Sequence, residues 1–245
     1  MKKAASAAEG EDMIYVISDI HGQYAKFLKM LEKINFTDND DLYILGDSVD
    51  RGPDPIKLLL DMSMRPNVFP LLGNHDYMAE YFLKKLNTEI TDENFDKHFS
   101  AKEFEAMAGW LSDGGKTTLE QFRKLSHEKR ESVIDYLSEF ALYEEIEVNG
   151  NSFVLVHGGL PDFSPERALS DYDGFGFIIE RPDYTKRYYA DKYLVTGHTP
   201  TCLISEEYDG RIYRKNGHIA IDCGAGFGGR LGCIRLDDLS EFYVE

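Results

Sequence analysis

Asp19, His21, Asp47, Asn74, His157 and His198 can each donate an oxygen or nitrogen lone pair to a cation, and each follows a short apolar run. All six are hard oxygen or borderline nitrogen donors with no thiolate among them, a set suited to Mn, Fe or Zn rather than to an iron–sulfur or copper(I) site. Six donors exceed the needs of one tetrahedral ion. They suit two ions that share a carboxylate and keep positions free for water and substrate. Two ions about 3.5–4 Å apart can clamp the attacking and leaving oxygens of an in-line displacement at phosphorus. His21, His75, His157 and His198, four of the seven histidines, stand at strand ends beside glycine or asparagine. The densest stretch is Leu45-Gly46-Asp47-Ser48-Val49-Asp50-Arg51-Gly52, with two carboxylates and a guanidinium between glycines. Taken alone it reads equally as a charged turn with Arg51 paired to an aspartate.

The donors need elements to hold them. Apolar runs at 13–18, 42–45 and 67–72 read as strands, and each is followed by a polar loop and a helix. Tyr24, Phe27, Leu28, Leu31 and Ile34 recur at helical spacing over 23–34. Pro53 and Pro55 fit the start of a second helix, with Ile56, Leu59, Leu60 and Met64 on its buried face. A third helix is expected from about 77 to 86. Alternating strands and helices imply a parallel α/β sheet with its ligands at the carboxyl edge. Residues 88–140 read as helices around a break at Asp113-Gly114-Gly115. Their aromatic stripe, including Phe95 and Trp110, reads as core, with His98 and His127 at the surface. Asn149-Gly150 between two apolar runs is a hairpin signal. Further strands are expected at 192–195, 201–205, 211–214, 218–222, 231–236 and 240–244. Residues 1–12 read as a disordered lead-in and 13–245 as one domain.

Composition narrows the function. At 245 residues and 42% hydrophobic content the chain can bury a substantial core. A net charge of -17, with no long Lys/Arg cluster, argues against nucleic acid and anionic membrane surfaces as partners. The three cysteines have no CxxC spacing, so reduced thiols and a cytoplasmic setting are expected. Cys223, in Asp222-Cys223-Gly224, reads as a small buried residue and not as a nucleophile.

Asp19-x-His21-Gly22, Gly46-Asp47-x-x-Asp50-Arg51-Gly52, Gly73-Asn74-His75-Asp76, His157-Gly158-Gly159 and Gly197-His198-Thr199 occur in that order. Together they resemble the signature of the calcineurin-like metallophosphoesterases, and the Asp-Arg-Gly form resembles the serine/threonine phosphoprotein phosphatase branch of bacterial type. The resemblance implies a two-sheet β-sandwich flanked by helices, with a dinuclear site at the sheet edge. It implies that Asp19, His21 and Asp47 hold one ion and that Asp47, Asn74, His157 and His198 hold the other. His75 is then the general acid, oriented by Asp50, and Arg51 binds phosphoryl oxygens. Arg181, between the last two motifs, is the expected second phosphate-binding arginine, although Phe177 and two isoleucines replace the aromatic of the family segment. Arg167 and Arg187 read as surface residues. Gly158 stands where the family has alanine.

The expected enzyme is a metal-dependent phosphoester hydrolase in which a hydroxide bridging two divalent or trivalent ions attacks phosphorus directly. Mn2+ leads the candidate ions, with Fe and Zn as alternatives. A serine/threonine protein phosphatase acting on a phosphoprotein is the leading reading. A symmetrical diadenosine tetraphosphate or other nucleotide hydrolase is the alternative, and a catalytically silent binding scaffold is a third.

Overall fold

The structure is a computed structural model, and it describes residues 12–89 and 99–245. The expected lead-in up to residue 11, and Phe95 and His98, lie outside the described residues. Within them, strands β1 (Ile14–Ile17), β2 (Asp41–Leu45) and β3 (Val68–Leu71) run parallel. β9 (Leu231–Arg235) joins antiparallel to β1, and β10 (Glu241–Val244) extends that edge, giving the order β10-β9-β1-β2-β3. A second sheet has the order β4-β5-β6-β8-β7. Its strands are β4 (Tyr143–Val148), β5 (Asn151–Val156), β6 (Lys192–Thr196), β7 (Tyr213–Lys215) and β8 (His218–Ala220). The single parallel sheet read from the sequence is thus two mixed sheets. Each keeps a parallel triplet, β1-β2-β3 and β5-β6-β8.

The sheets face each other across one apolar layer. Val16, Leu45, Leu71 and Ile234 of one sheet meet Phe153, Leu155, Val195 and Ile219 of the other. The alternate residues face outward and are buried too. Tyr15 and Ile17 pack under helices, and Val154 and Val156 pack under the 160–190 region. Strands covered on both faces read as continuous apolar runs. That is why their alternation was hidden in the sequence.

Helices α1 (Tyr24–Lys33), α2 (Pro55–Met62) and α3 (Asn74–Asn87) cover the outer face of the first sheet. On α1, Phe27, Met30 and Leu31 are buried and Leu28 is exposed. α2 ends at Met62, which is buried, so the expected core residue Met64 falls beyond the last turn and is exposed. α3 begins earlier than the spacing indicated. Gly73 is extended at its N-cap, and the Asp76 carboxylate accepts from the Gly73 N–H at 3.1 Å, a side-chain cap that fixes the start. Asn74 and His75 therefore occupy the first helical turn. The insert contains α4 (Ala101–Trp110), a π-helical turn at Leu111–Gly115, α5 (Lys116–Phe122) and α6 (His127–Ser138). Further on lie α7 (Gly174–Ile179) and α8 (Thr201–Ile204). The strand expected at 201–205 is α8, because Pro200 at its N-cap opens a helical turn that the β-branched composition masked.

Gly46 closes the step from β2 into the charged loop. Its φ is +73°, and a Cβ there would lie 2.6 Å from Gly73 backbone atoms and from His157 Nδ1. Both constraints require glycine. Gly46→Ala is expected to destabilise the fold by about 1–3 kcal/mol, measured as a lowered urea midpoint. An unchanged midpoint would contradict the close approach.

Candidate metal centre

The six parallel strands end at one place. Asp19 and His21 follow β1, Asp47 follows β2, and Asn74 and His75 follow β3. His157 follows β5, His198 follows β6 and Asp222 follows β8. Backbone bonds stitch these loops together: His21 N donates to Asp47 O at 2.8 Å, Gly52 N to His21 O at 2.9 Å, and Gly197 N to His157 O at 2.8 Å. The loops turn sharply at residues that are not glycine. Asp19 (φ 51°), His21 (47°), Asp47 (52°), Asp50 (70°), Arg51 (60°) and His198 (60°) all hold left-handed backbone. Such residues cost of order 1–3 kcal/mol each and persist where the surroundings over-determine them.

Asp47 sits at the centre. The ligating atoms of His21, Asp47 and His75 lie within 4.8 Å of one another, and so do those of Asp47, His157 and His198. Asp47 Oδ2 is 3.6 Å from His21 Nε2, and Asp47 Oδ1 is 3.4 Å from His157 Nε2. Two imidazoles are aimed by their far nitrogens. His157 Nδ1 is 2.7 Å from Leu45 O, and His21 Nδ1 is 3.0 Å from Val49 O. A carbonyl can only accept, so each Nδ1 carries the proton and each Nε2 presents a lone pair to the centre. Asn74 Oδ1 lies 3.1 Å from His157 Nε2. Asp19 accepts from the His198 N–H at 3.2 and 3.0 Å and from the Ser18 hydroxyl.

The charges fit a cation site. Burial, reinforced by the Arg51 and His75 charges, pushes His21 down to about 3. Burial, reinforced by His157, pushes His198 down to about 4. Both rings are neutral and can coordinate. Burial raises Asp47; positive charge at His157, His75 and His21 would outweigh it and hold the carboxylate below its usual range, and where those rings are neutral a bound cation would supply that charge in their place. Asp19 is driven up by burial and by the charges of Asp222 and Asp47. Buried carboxylates that repel one another beside neutral imidazoles are relieved by a bound cation. Arg51 Nη1 lies 2.8 Å from His21 Nε2, so a donor of positive charge already meets that lone pair.

Beside the centre, His75 Nδ1 is 2.7 Å from Asp50 Oδ2. Asp50 is fully buried and accepts from Trp110 Nε1 at 2.8 Å and from the Thr118 hydroxyl at 2.6 Å. The helical insert therefore supports the dyad, and Trp110, read as core only, is also a hydrogen-bond donor. Arg51 pairs with neither aspartate of its own loop. Its Nη2 lies 2.9 Å from His75 Nε2 and 3.0 Å from Asp113 Oδ1, and its guanidinium stacks 4.4 Å from the Phe227 ring centroid. Arg181 Nη1 is 3.5 Å from Thr199 Oγ1 and lines the same cavity as Arg51, Asn74, His75 and His198. Arg167 stacks on Tyr172, Arg187 bonds the carbonyls of Tyr189 and Ala190, and His127 is exposed beside Glu131. None of these three lines the cavity.

Asp222 was missed as a site residue. It is buried, lines the cavity, and is pushed up to about 6 by burial and the Asp47 charge. A strand-end carboxylate two residues before a glycine was the available signal. The neighbouring Cys223 is buried, and burial raises its thiol, so it has no nucleophilic character.

Parallel strand ends that converge on a carboxylate shared between histidine clusters define a metal-dependent hydrolase centre. The chain belongs to the calcineurin-like phosphoesterase family, whose sequence pattern matches residues 13–202. It is 25% identical to an asymmetrical bis(5'-nucleosyl)-tetraphosphatase of Geobacillus sp. (strain WCH70), over 94% of this chain and 93% of that protein. It is 35% identical to a symmetrical bis(5'-nucleosyl)-tetraphosphatase of Wigglesworthia glossinidia brevipalpis, over 40% of this chain and 36% of that protein. The match to the latter thus spans little more than a third of its length. In fold the chain resembles a solved structure provisionally described as a diadenosine tetraphosphatase, with a TM-score of 0.67, 17% identity and 97% and 95% of the two chains covered. It also resembles a protein serine/threonine phosphatase of Saccharomyces cerevisiae, with a TM-score of 0.56, 15% identity and 95% and 79% covered. The two sheets and flanking helices are the sandwich that the family resemblance implied.

His75 is expected to titrate above an ordinary histidine. Burial lowers its pKa, but the Asp47 charge and the Asp50 hydrogen bond more than offset that. The linked stability is present below the unfolded value of about 6.5 and is lost as pH rises through the raised folded value. Asp50→Asn should move the His75 NMR titration midpoint of the metal-stripped chain to lower pH. An unmoved midpoint would contradict the dyad.

Proposed function

We propose that the chain is a hydrolase of dinucleoside polyphosphates that works on two divalent cations, with Mn2+ the leading candidate and Fe and Zn the alternatives. Asp19, His21 and Asp47 would hold one ion, and Asp47, Asn74, His157 and His198 the other. When bound, such ions lower the pKa of water and neutralise charge on phosphoryl oxygens. Arg51 and Arg181 would bind those oxygens, Arg51 through a planar fork suited to bidentate phosphate contact. His75 would give its proton to the leaving oxygen, with Asp50 holding the ring and its tautomer. Thr118 and Trp110 would keep the Asp50 carboxylate oriented. The 2.7 Å contact between His75 and Asp50 supports this pairing and disfavours a catalytically silent scaffold.

The observation that carries the nucleotide reading is the cavity. It has a volume of about 510 Å³ and runs from His75 and Arg51 to Pro200, Leu203 and Phe227. Leu203 and Phe227 are each 69% exposed. Apolar and aromatic surface next to a phosphate clamp suits a nucleoside whose base has a π-face. The two tetraphosphatase relatives support the same reading. The sequence favoured a phosphoprotein phosphatase, and the reading now moves to its nucleotide alternative. A cytoplasmic setting suits a nucleotide substrate. No helix among the described residues is long and apolar enough to cross a membrane.

Turnover of diadenosine tetraphosphate and of phosphoserine and phosphothreonine peptides, with Mn2+ present, tests the proposal. Diadenosine tetraphosphate should be the better substrate by kcat/KM. His75→Asn should lower kcat about 10²–10⁴-fold. Preference for the phosphopeptides would overturn the substrate class, and full activity of His75→Asn would overturn the general acid.

A further inference from the structure

The π-helical turn between α4 and α5 is fastened to the centre at both ends and at its apex. Trp110 before it and Thr118 after it hold the Asp50 carboxylate. At the apex, Asp113 (φ -89°, ψ 16°) and Gly114 (φ +112°) leave helical geometry. Gly114 O accepts from the Arg51 N–H at 3.2 Å, and a Cβ on Gly114 would lie 2.6 Å from Arg51 Cγ. The chain thus runs against Arg51 with no room for another side chain at that position. Its one acidic side chain is then directed at the two groups assigned to substrate. Asp113 Oδ1 is 3.0 Å from Arg51 Nη2, and Asp113 Oδ2 is 3.4 Å from His75 Nε2.

One carboxylate therefore addresses both the phosphate clamp and the proton donor, as two oxygens of a phosphoryl group would. It differs from the other carboxylates of the site in exposure. The Asp113 side chain is 60% exposed, against 4% for Asp47 and 0% for Asp50. It lines the cavity with Arg181 and Phe227. An ion pair with one partner this hydrated is weak and exchangeable. A phosphate group carries more charge, and Arg can meet it bidentately, so it can take the same donors.

We infer that Asp113 is a tethered anion seated where a substrate phosphoryl group binds, a residue that sets the affinity of the site for phosphate. Incoming substrate displaces it from Arg51 Nη2 and His75 Nε2. Its return competes with product phosphate and speeds release. The inference rests on the reading of Arg51 as the phosphate clamp. A merely positioning role for Asp113 makes the opposite prediction, because loss of a residue that aims Arg51 would weaken phosphate binding.

The test uses the full chain loaded with Mn2+ and inorganic phosphate as the probe, followed by calorimetry and by competitive inhibition of hydrolysis. Asp113→Ala should bind phosphate about 5- to 20-fold more tightly than the wild type, and Asp113→Asn should shift in the same direction. KM should fall with it, and kcat should not rise. Arg51→Ala checks the underlying reading and should lose phosphate affinity. Undiminished phosphate binding by Arg51→Ala would overturn the clamp and this inference together. Loss in Arg51→Ala, with equal or weaker binding in both Asp113 variants, would overturn the role of Asp113 alone.

Discussion

Asp47 carries a negative charge with almost no access to water, and three imidazoles surround it. Positive charge at its edge, on these rings or on a cation held between them, is what offsets the cost of its burial. Its oxygens also receive the His75 backbone N–H at 2.9 Å, so the carboxylate fixes the first turn of α3 as well as the centre. A buried ion is tolerated only where such partners are supplied. The loops after β1, β2, β3, β5 and β6 must all arrive within a few ångströms of it. Those after β1, β2 and β6 do so through left-handed backbone at Asp19, His21, Asp47, Asp50, Arg51 and His198. The local strain is held by two sheets whose parallel triplets finish together.

From this centre the chemistry is divided between layers. The strand ends supply lone pairs, the start of α3 supplies the imidazole of His75, and the helical insert supplies the donors that hold Asp50. The insert therefore takes part in the candidate site although it carries none of the six candidate metal donors. The arrangement separates a rigid, buried half, built on Asp47 and Asp50, from an open half where Arg51, Arg181, Asp113 and Phe227 face the cavity. Rigid placement suits metal binding and proton delivery, and the open half can adapt to a substrate.

Much of the site was legible because its donors end continuous apolar runs. Asp19, His21, Asp47, Asn74, His157 and His198 each follow an apolar run, and in β1 and β5 burial on both faces keeps that run apolar. The same double burial erased the alternation that would have separated the two sheets, so their packing came only from the family resemblance. Asp222 escaped because it read as the last residue of a strand over 218–222, whereas β8 stops at Ala220 and leaves Asp222 in the loop beyond. Asp113 and Thr118 escaped for another reason. Their partners Arg51 and Asp50 lie 62 and 68 residues away, and no local pattern encodes a contact across that distance. The Asp113-Gly114-Gly115 break was visible, but not what it faced. Residues 201–204 were misread because β-branched composition outweighed the signal of Pro200.

The central claim is that Asp47 is shared between two cations. Calorimetric titration of the metal-stripped chain with Mn2+ measures it directly. The claim predicts two ions per wild-type chain, and weakened binding of both in Asp47→Ala, since that change removes a ligand from each. A wild-type chain that takes one ion, or an Asp47→Ala chain that still binds two with unchanged affinity, would contradict it.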